Sequence, residues 1–303
     1  MSQRPVLVLD TASLYYRSFY ALPDSMKSAD GRPHQAIRGF LTMLDAFHTR
    51  FNPSTIVACW DVDWRPQWRV DLLPSYKTHR VLETTDEGDF LEDEPDTLGP
   101  QIQAIAEILD SSSIARVGFD HYEADDVAAT LAHSIPGPVI VISGDRDMVQ
   151  VVDDSQEVRL FLAVNGGMPA WPLLDEQLVI ERYGVSSQNY VDFAIMRGDP
   201  SDGIPGVPGI GEKTAAALIS AFGDVQGIIH AAHAEPVKPL TPRIASLLLE
   251  HADLLEISKK VATAVRTLPI DIETDRQSTT RNVDVLQQIA KTWGVERFIP
   301  QWL

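Results

Sequence analysis

Continuous apolar runs recur along the first 170 residues and predict the strands of a buried sheet. The runs PVLVLD (5–10), TIVACW (55–60) and PVIVIS (138–143) are apolar for most of their length, which is typical of strands that are covered on both faces. A shorter run at 114–117 predicts a further strand, and the run at 158–162 predicts either a strand or a hairpin arm.

Segments with helical periodicity separate these strands and dominate the rest of the chain. Between residues 34 and 50, apolar residues recur three and four positions apart, which predicts an amphipathic helix. Beyond residue 223 the pattern predicts helices only. The chain is therefore predicted to form an α/β fold with a mainly parallel central sheet flanked by helices at 1–170, followed by a helical lobe at 171–303.

Acidic residues follow three of the predicted strands at their carboxyl ends. Asp10 ends the first strand, Asp61 follows the second, and Asp145 with Asp147 follows the run at 138–143. The carboxyl ends of parallel strands share one edge of a sheet, where α/β folds bind their ligands. A single aspartate of this kind could equally cap the next helix, but several at one edge predict a shared site.

Two more acidic groups extend this set. Glu123, Asp125 and Asp126 open a predicted helix, where the helix dipole favours negative charge, although an overacidic helix end in water is an alternative. Asp199 and Asp202 lie three apart, so on one helical turn both would face the same point. The nine acids offer only oxygen ligands, which favours two or more Mg²⁺ or Mn²⁺ ions over zinc.

The stretch at 198–214, GDPSDGIPGVPGIGEKT, joins the last two acids to a glycine-rich turn. Gly206, Gly209 and Gly211 permit positive φ angles and close approach of the backbone. Lys213 and Thr214 open a helix whose free N–H groups would face an anion. The pattern predicts a phosphate-binding turn beside the acids, and an ordinary structured loop is the alternative.

A basic and aromatic stretch, WRPQWRVDLLPSYKTHR, predicts contacts with nucleic acid. Arg65, Arg69, Lys77 and Arg80 would pair with phosphates and Tyr76 would stack on a base, whereas a surface helix with scattered charge is the alternative. The acidic run at 83–96 has few apolar residues. We interpret this run as a flexible segment that becomes ordered on binding substrate.

The net charge excludes less than it suggests. The chain has 303 residues and a formal charge of −18, which by itself argues against a nucleic-acid partner. The eight acids at 83–96 and the nine predicted ligands make up 17 of the 43 acidic residues, and the remaining 26 nearly balance the 25 lysines and arginines. Nucleic acid therefore remains a possible partner.

Cysteine content and hydropathy indicate the compartment. Cys59 is the only cysteine, so an internal disulfide framework is excluded and a reducing cytoplasm fits. No apolar run is long enough for a membrane span, and the N-terminus lacks the features of a signal peptide. We expect a soluble, cytoplasmic protein that does not enter a membrane.

Seven motifs, taken in chain order, resemble the bacterial 5′ nucleases, which comprise flap endonucleases and the 5′-3′ exonuclease domain attached to family A DNA polymerases. The motifs are VLDTASLYYRSF, GRPHQAIRGF, WDVDWRPQWR, LPSYKTHR, YEADDVAATLA, ISGDRDMVQVV and GDPSDGIPGVPGIGEKTA. The resemblance implies a PIN-like core at 1–170 with a helical arch at 64–100. It also implies a DNA-binding lobe at 171–303 with a helix-two-turn-helix element near 198–223.

The same resemblance implies a role for each candidate residue. The first metal group would comprise Asp10, Asp61, Glu123, Asp125 and Asp126, and the second Asp145, Asp147, Asp199 and Asp202. Lys77 and Arg80 would face the scissile phosphate from the arch, with Arg17 as a further cation. Gly206, Gly209, Gly211, Lys213 and Thr214 would grip duplex DNA, with a K⁺ ion on backbone carbonyls.

These features predict a monomeric nuclease that cuts DNA at 5′ flaps, nicks and single-stranded 5′ ends in replication and repair, together with a DNA polymerase. Two alternatives stay open, a PIN-type ribonuclease and a non-catalytic protein that binds DNA junctions. The basic stretch and the glycine turn disfavour the first, and the mutual repulsion of nine acids disfavours the second. Thr11 and Ala12 depart from the family's usual Gly-Asn, and the acidic run departs from an arch that must meet DNA.

Overall fold

The computed structural model describes residues 3–85, 90–271 and 281–303 and confirms the predicted α/β fold. Its strands are β1 (Val6–Asp10), β2 (Thr55–Cys59), β3 (Val81–Thr84), β4 (Phe90–Glu92), β5 (Ala115–Val117), β6 (Val139–Ser143), β7 (Val158–Leu162) and β8 (Leu173–Leu174). Six of them form one sheet in the order β5-β2-β1-β6-β7-β8. All neighbours in this sheet are parallel except β7 and β8, so the prediction of a mainly parallel sheet is confirmed.

Helices cover both faces of the sheet and form the C-terminal lobe. In the described residues they are α1 (Thr11–Ala21), α2 (Gln35–Phe51), α3 (Gln67–Leu72), α4 (Gly99–Asp110), α5 (Ala124–Ser134), α6 (Glu176–Tyr183), α7 (Tyr190–Arg197), α8 (Glu212–Phe222), α9 (Val225–Ala232), α10 (Pro242–Glu250), α11 (Ala252–Ala262) and α12 (Val283–Trp293).

Alternate residues of the central strands face two separate cores, because side chains alternate along a strand. In β1, Val8 belongs to the same core as Val141 and helix α5, whereas Leu7 and Leu9 belong to the opposite core with Phe40 and helix α2. The first core continues into helices α8, α9 and α10. Burial of β1 on both faces holds its carboxyl end, and Asp10 with it, in a fixed position.

The first and the last elements of the predicted lobe at 171–303, β8 and α12, pack with the N-terminal part of the chain. Strand β8 continues the sheet beyond residue 170. Helix α12 contacts α4, and its apolar stripe, which includes Leu286 and Trp293, lies in the core beneath α2. The last helix thus packs with the N-terminal part of the chain, where residues of α2 and α4 cover its apolar stripe.

The segment at 64–100 is helical only in part, which corrects the prediction of a helical arch. After α3 and a short 3-10 turn at Thr78–Arg80, β3 and β4 pair as an antiparallel hairpin. Val81, Thr84 and Phe90 are residues with high strand propensity, which explains the hairpin. The acidic run predicted to be flexible is therefore folded where it is described, and residues 86–89 lie outside the described residues.

No single helix in the described part of the chain is long and apolar enough to cross a membrane. Only α8 and α9 taken together have the required length and composition, and they bend by 83° at their junction.

Candidate metal centre

The three predicted strand-end acids lie at one edge of the sheet, since β2, β1 and β6 are parallel neighbours. Asp10 accepts hydrogen bonds from the Ser13 backbone N–H at 3.3 Å and from the Ser143 hydroxyl at 2.5 Å. Asp61 Oδ1 accepts from the Ala124 N–H at 2.7 Å. Asp10 thus caps α1 and also lies among the acids at this edge, so the two interpretations are compatible.

Ser143, which the sequence analysis did not single out, contacts two of the candidate acids. Its hydroxyl donates to Asp10 and accepts the Asp145 N–H at 2.8 Å, and so joins the ends of β1 and β6. A polar residue that ends an otherwise apolar strand was the available signal.

Asp125, Asp145, Asp147 and Asp202 complete the acidic cluster, and burial together with neighbouring negative charge raises the pKa values of its members. Burial, followed by repulsion from Asp10 and Asp145, raises the pKa of Asp125 well above its usual value. Burial and the charge of Asp202 raise the pKa of Asp145 to about 7. Burial, assisted by Asp145 and Asp202, raises the pKa of Asp147 well above its usual value. Burial also raises the pKa of Asp61 to about 7.

One carboxylate oxygen of Asp147 is buried without a hydrogen-bond donor in the described part of the chain. Its Oδ1 atom is buried and makes no hydrogen bond within the described residues. A buried carboxylate oxygen without a partner is costly, and a cation would remove that cost. The oxygen-only donor set formed by Asp10, Asp61, Asp125, Asp145, Asp147 and Asp202 fits Mg²⁺ or Mn²⁺.

The carboxylates do not yet converge as they would around a bound ion. In the described part of the chain, no group of three acidic, histidine or cysteine side chains has the spacing of metal ligands. Binding of an ion would bring carboxylate oxygens of this cluster to ligand distance from one point.

Glu123 and Asp126, predicted as metal ligands, are instead occupied by protein cations. Glu123 accepts from Arg69 Nη1 and from the Tyr76 hydroxyl, each at 2.6 Å, and pairs through its other oxygen with Lys77. Asp126 accepts from both terminal nitrogens of Arg69 at 2.8 Å. Although burial opposes ionisation, Lys77 and Arg69 lower the pKa of Glu123. Both acids are therefore paired with protein cations in this structure, and their role as metal ligands stays a prediction.

Arg65, Arg69 and Tyr76, predicted to contact DNA, are buried, which corrects that prediction. Their exposed fractions are 4%, 3% and 2%. Arg65 donates to the Tyr76 carbonyl at 2.6 Å, while Arg69 and Tyr76 serve Glu123. These polar groups face inward because buried carboxylates require donors.

The three predicted catalytic cations differ in their contacts and in their exposure. Lys77 is buried on Glu123, and Arg80 Nε donates to Glu92 at 2.9 Å. Arg17 donates to the Ala163 carbonyl at 3.1 Å, and together with Asp145 it lines a cleft of about 480 Å³. Arg17 and Arg80 thus lie near the acidic cluster, and their contact with phosphate stays a prediction.

Asp199 and Asp202 lie in a turn that an Asp199–Ile204 bridge closes, and not on a helix as expected. Asp199 accepts from Arg197 Nη2 at 3.3 Å and from the Ser201 N–H at 2.9 Å. Asp202 faces the cluster, and burial, partly offset by Lys77, raises its pKa. The chain thus brings Asp202 to the other acids, while Asp199 is held by its own turn.

The glycine-rich turn allows the backbone to pack closely beside these acids. At Gly206, with φ 70°, an added Cβ would lie 2.5 Å from the Gly198 nitrogen. Gly209 and Gly211 have open space around them. Gly211 immediately precedes α8, in whose first turn Lys213 is exposed and Thr214 is half-buried. An anion site at this helix start stays a prediction.

Gly203 joins this turn to the stretch around Tyr76, and its replacement by alanine is expected to destabilise the protein. A Cβ at Gly203, where φ is 71°, would lie 2.1 Å from the Ser75 carbonyl oxygen. Gly209→Ala is the matched control, since φ is 82° there and nothing lies within 4 Å. Gly209→Ala should cost about 1 kcal/mol of backbone strain, and Gly203→Ala should cost at least about 2 kcal/mol more. Equal melting temperatures of the two variants would contradict this packing.

Two models of known protein families match adjacent parts of this chain. The N-terminal, resolvase-like domain of 5′-3′ exonucleases matches residues 5–184, and their C-terminal SAM fold matches residues 185–284.

Curated relatives cover nearly the whole chain. A 5′-3′ exonuclease of Streptomyces coelicolor is 46% identical over 290 residues, covering 95% of this chain and 96% of its own length. One of Mycobacterium tuberculosis is 42% identical over 277 residues, covering 89% and 86%. A DNA polymerase I of Mycobacterium bovis is 32% identical over 269 residues, covering 88% of this chain but 28% of the polymerase.

Solved structures share the fold. The bacteriophage T5 5′-exonuclease with bound zinc superposes with a TM-score of 0.65 at 21% identity, covering 98% of this chain and all of its own. A T5 flap endonuclease variant in a pseudo-enzyme–product complex with DNA and metal ions gives a TM-score of 0.63 at 19% identity, with the same coverage.

Proposed function

This chain is an enzyme that belongs to the 5′-3′ exonuclease family, and from that premise we propose that it cuts DNA at 5′ flaps, nicks and single-stranded 5′ ends with Mg²⁺ or Mn²⁺. The observation that carries the proposal is the buried, unpartnered oxygen of Asp147 within a cluster of acids whose pKa values are raised. Divalent cations among its oxygens would offset the mutual repulsion of such a cluster at neutral pH.

The acids Asp10, Asp61, Asp125, Asp145, Asp147 and Asp202 would hold the ions. Divalent ions held there would supply water activation and charge stabilisation at the leaving oxygen. Asp199, already held by Arg197 and Ser201, would support the turn that carries Asp202. Glu123 and Asp126 would act through the protein, by fixing Arg69 and Lys77 beside the site.

The chain's cations would orient the DNA. Arg80 and Arg17 lie partly exposed beside the cluster and can fork to a phosphate. Lys77 reaches a phosphate only if it leaves Glu123. The turn with Gly206, Gly209 and Gly211, followed by Lys213 and Thr214, would bind duplex phosphates, with a K⁺ ion as a further expected ligand.

The proposed partners follow from the relatives. The solved flap endonuclease variant binds DNA and metal ions, and a similar domain forms part of DNA polymerase I. We therefore include a DNA polymerase as a partner in replication and repair. We further propose that the protein is a monomer and that it acts in the cytoplasm.

A 5′-flap assay tests the proposal and separates it from the two alternatives. With Mg²⁺, an end-labelled DNA flap should be cut near its junction, and chelation by EDTA should abolish cutting. An RNA flap of the same sequence should be cut at least about tenfold more slowly. This factor corresponds to a loss of about 1.4 kcal/mol of transition-state stabilisation. Faster cutting of RNA would favour a ribonuclease, and binding of DNA without cutting in either metal would favour a junction-binding protein.

A further inference from the structure

The hairpin β3–β4 places an acid directly on one of the cations proposed to bind DNA. Glu92 Oε1 accepts from Arg80 Nε at 2.9 Å, and Glu92 Oε2 accepts from the Tyr16 hydroxyl at 3.0 Å. Both carboxylate oxygens therefore have partners. The Glu92 side chain is 17% exposed, so this contact is partly shielded from water.

The two partners of Glu92 belong to the metal centre's surroundings. Tyr16 lies on α1, which begins after Asp10, and it lines the same cleft as Asp145 and Arg17. Glu92 thus bridges the hairpin to the wall of the active-site cleft. Glu92 presents one carboxylate oxygen, Oε1, to both Nε and Nη2 of Arg80, and a phosphate oxygen could accept from the same two donors.

Backbone and ring contacts hold the hairpin beside Arg80. The Asp93 N–H donates to the Arg80 carbonyl at 2.8 Å, and the Arg65 guanidinium lies 4.1 Å from the Phe90 ring centroid. These contacts hold the backbone of the hairpin, whereas the Glu92 side chain is held by Tyr16 and Arg80 alone among the hydrogen bonds of the described residues. Leu82 and Leu91 on the hairpin are 66% and 47% exposed, so this segment packs weakly against the core.

We propose that Glu92 is an autoinhibitory residue, whose carboxylate occupies Arg80 until a DNA phosphate replaces it. The proposal rests on the proposed nuclease function and concerns regulation of that same site. It also explains why a strongly acidic segment lies where DNA must pass, since an acid that pairs with Arg80 lowers affinity for every phosphate that competes with it. DNA binding then requires exchange of one anion for another on the same guanidinium.

Glu92→Gln tests the competition, because glutamine keeps the shape and removes the charge. The variant should lower the KM for a 5′-flap DNA about fivefold, the factor expected for loss of one partly exposed ion pair, with kcat unchanged. Glu83→Gln is the matched control. Glu83 lies on the same hairpin and is exposed. Among the described residues, the Glu83 side chain has no hydrogen bond or ion pair, whereas its backbone lies in the ladder with β4. Its KM should change by less than about 1.5-fold.

A second arm asks whether the effect passes through Arg80. In an Arg80→Ala background, Glu92→Gln should leave KM unchanged, because the guanidinium for which Glu92 and the DNA phosphate compete is absent. Equal KM values for Glu92→Gln and Glu83→Gln, or a full fivefold effect without Arg80, would overturn the autoinhibitory role. Absence of cutting by the wild type in both metals would instead overturn the nuclease function on which the proposal rests.

Discussion

Replacement of Asp147 by asparagine is expected to reduce cutting of a 5′-flap DNA by about a thousandfold, the order of effect of losing one charged group of a metal-assisted site. Asp147 Oδ1 is buried without a partner in the described chain, and its neighbours Asp145 and Asp202 are also acids. The same variant should raise the melting temperature of the metal-free protein. Burial and repulsion disfavour the ionised form of Asp147 in the folded state, so a neutral side chain removes a cost that exists at neutral pH.

The stabilising effect of metal should decline in the same variant. Saturating Mg²⁺ stabilises the wild type by mass action, about 2.7 kcal/mol at a concentration 100 times the Kd. Asp147→Asn should lose most of this gain in a thermal-shift titration. Asp71→Asn, on the exposed end of α3, is the control that should change neither cutting nor the metal-dependent shift. Normal cutting by Asp147→Asn would remove Asp147 from the metal centre.

Loss of Arg69 is expected to cause the largest decrease in stability, about 3 to 5 kcal/mol for Arg69→Met. Arg69 donates to Glu123 and to both oxygens of Asp126, and all three residues are less than 5% exposed. Without Arg69, Asp126 keeps backbone donors only, and two buried carboxylates lose their shared counter-ion. The melting temperature measured by calorimetry should fall by at least about 6 °C.

Arg116→Met is the matched control for Arg69→Met. Arg116 makes the same two-pronged contact, with Asp110 at 2.8 and 2.7 Å, but the side chains are 28% and 49% exposed. An exposed pair contributes at most about 1 kcal/mol, so this variant should melt within about 3 °C of the wild type. Equal losses in the two variants would show that burial of the Arg69 network does not determine its contribution.

The sequence predicts the sheet edge well because its signals are local. A continuous apolar run indicates a buried strand, and an aspartate that ends such a run, as Asp10 does, must lie at the sheet's carboxyl edge. The same reasoning places Asp61 and Asp145 beside it, since parallel neighbours bring their ends together. The fold class and the candidate acids therefore follow from composition and spacing.

The corrected predictions depend on tertiary contacts that no local pattern contains. Arg69 and Tyr76 read as surface residues of a nucleic-acid-binding stretch, yet they pack against Glu123, about 50 positions away in sequence. A buried acid recruits distant donors, and the sequence does not state which acids become buried. The packing of α12 against the N-terminal part of the chain was not predicted, for the same reason. An apolar stripe predicts a buried face but does not indicate which surface covers it.

Crystals of the protein grown with Mn²⁺, with anomalous scattering measured at the manganese edge, would examine the acidic cluster most directly. We expect anomalous peaks at about 2.2 Å from carboxylate oxygens of Asp10, Asp125, Asp145 and Asp147, the usual distance for such ligands, with the Asp147 Oδ1 atom among the ligands. Peaks only on other parts of the surface at saturating Mn²⁺, with Asp147 Oδ1 still unpartnered, would contradict the assignment of these acids as the metal centre.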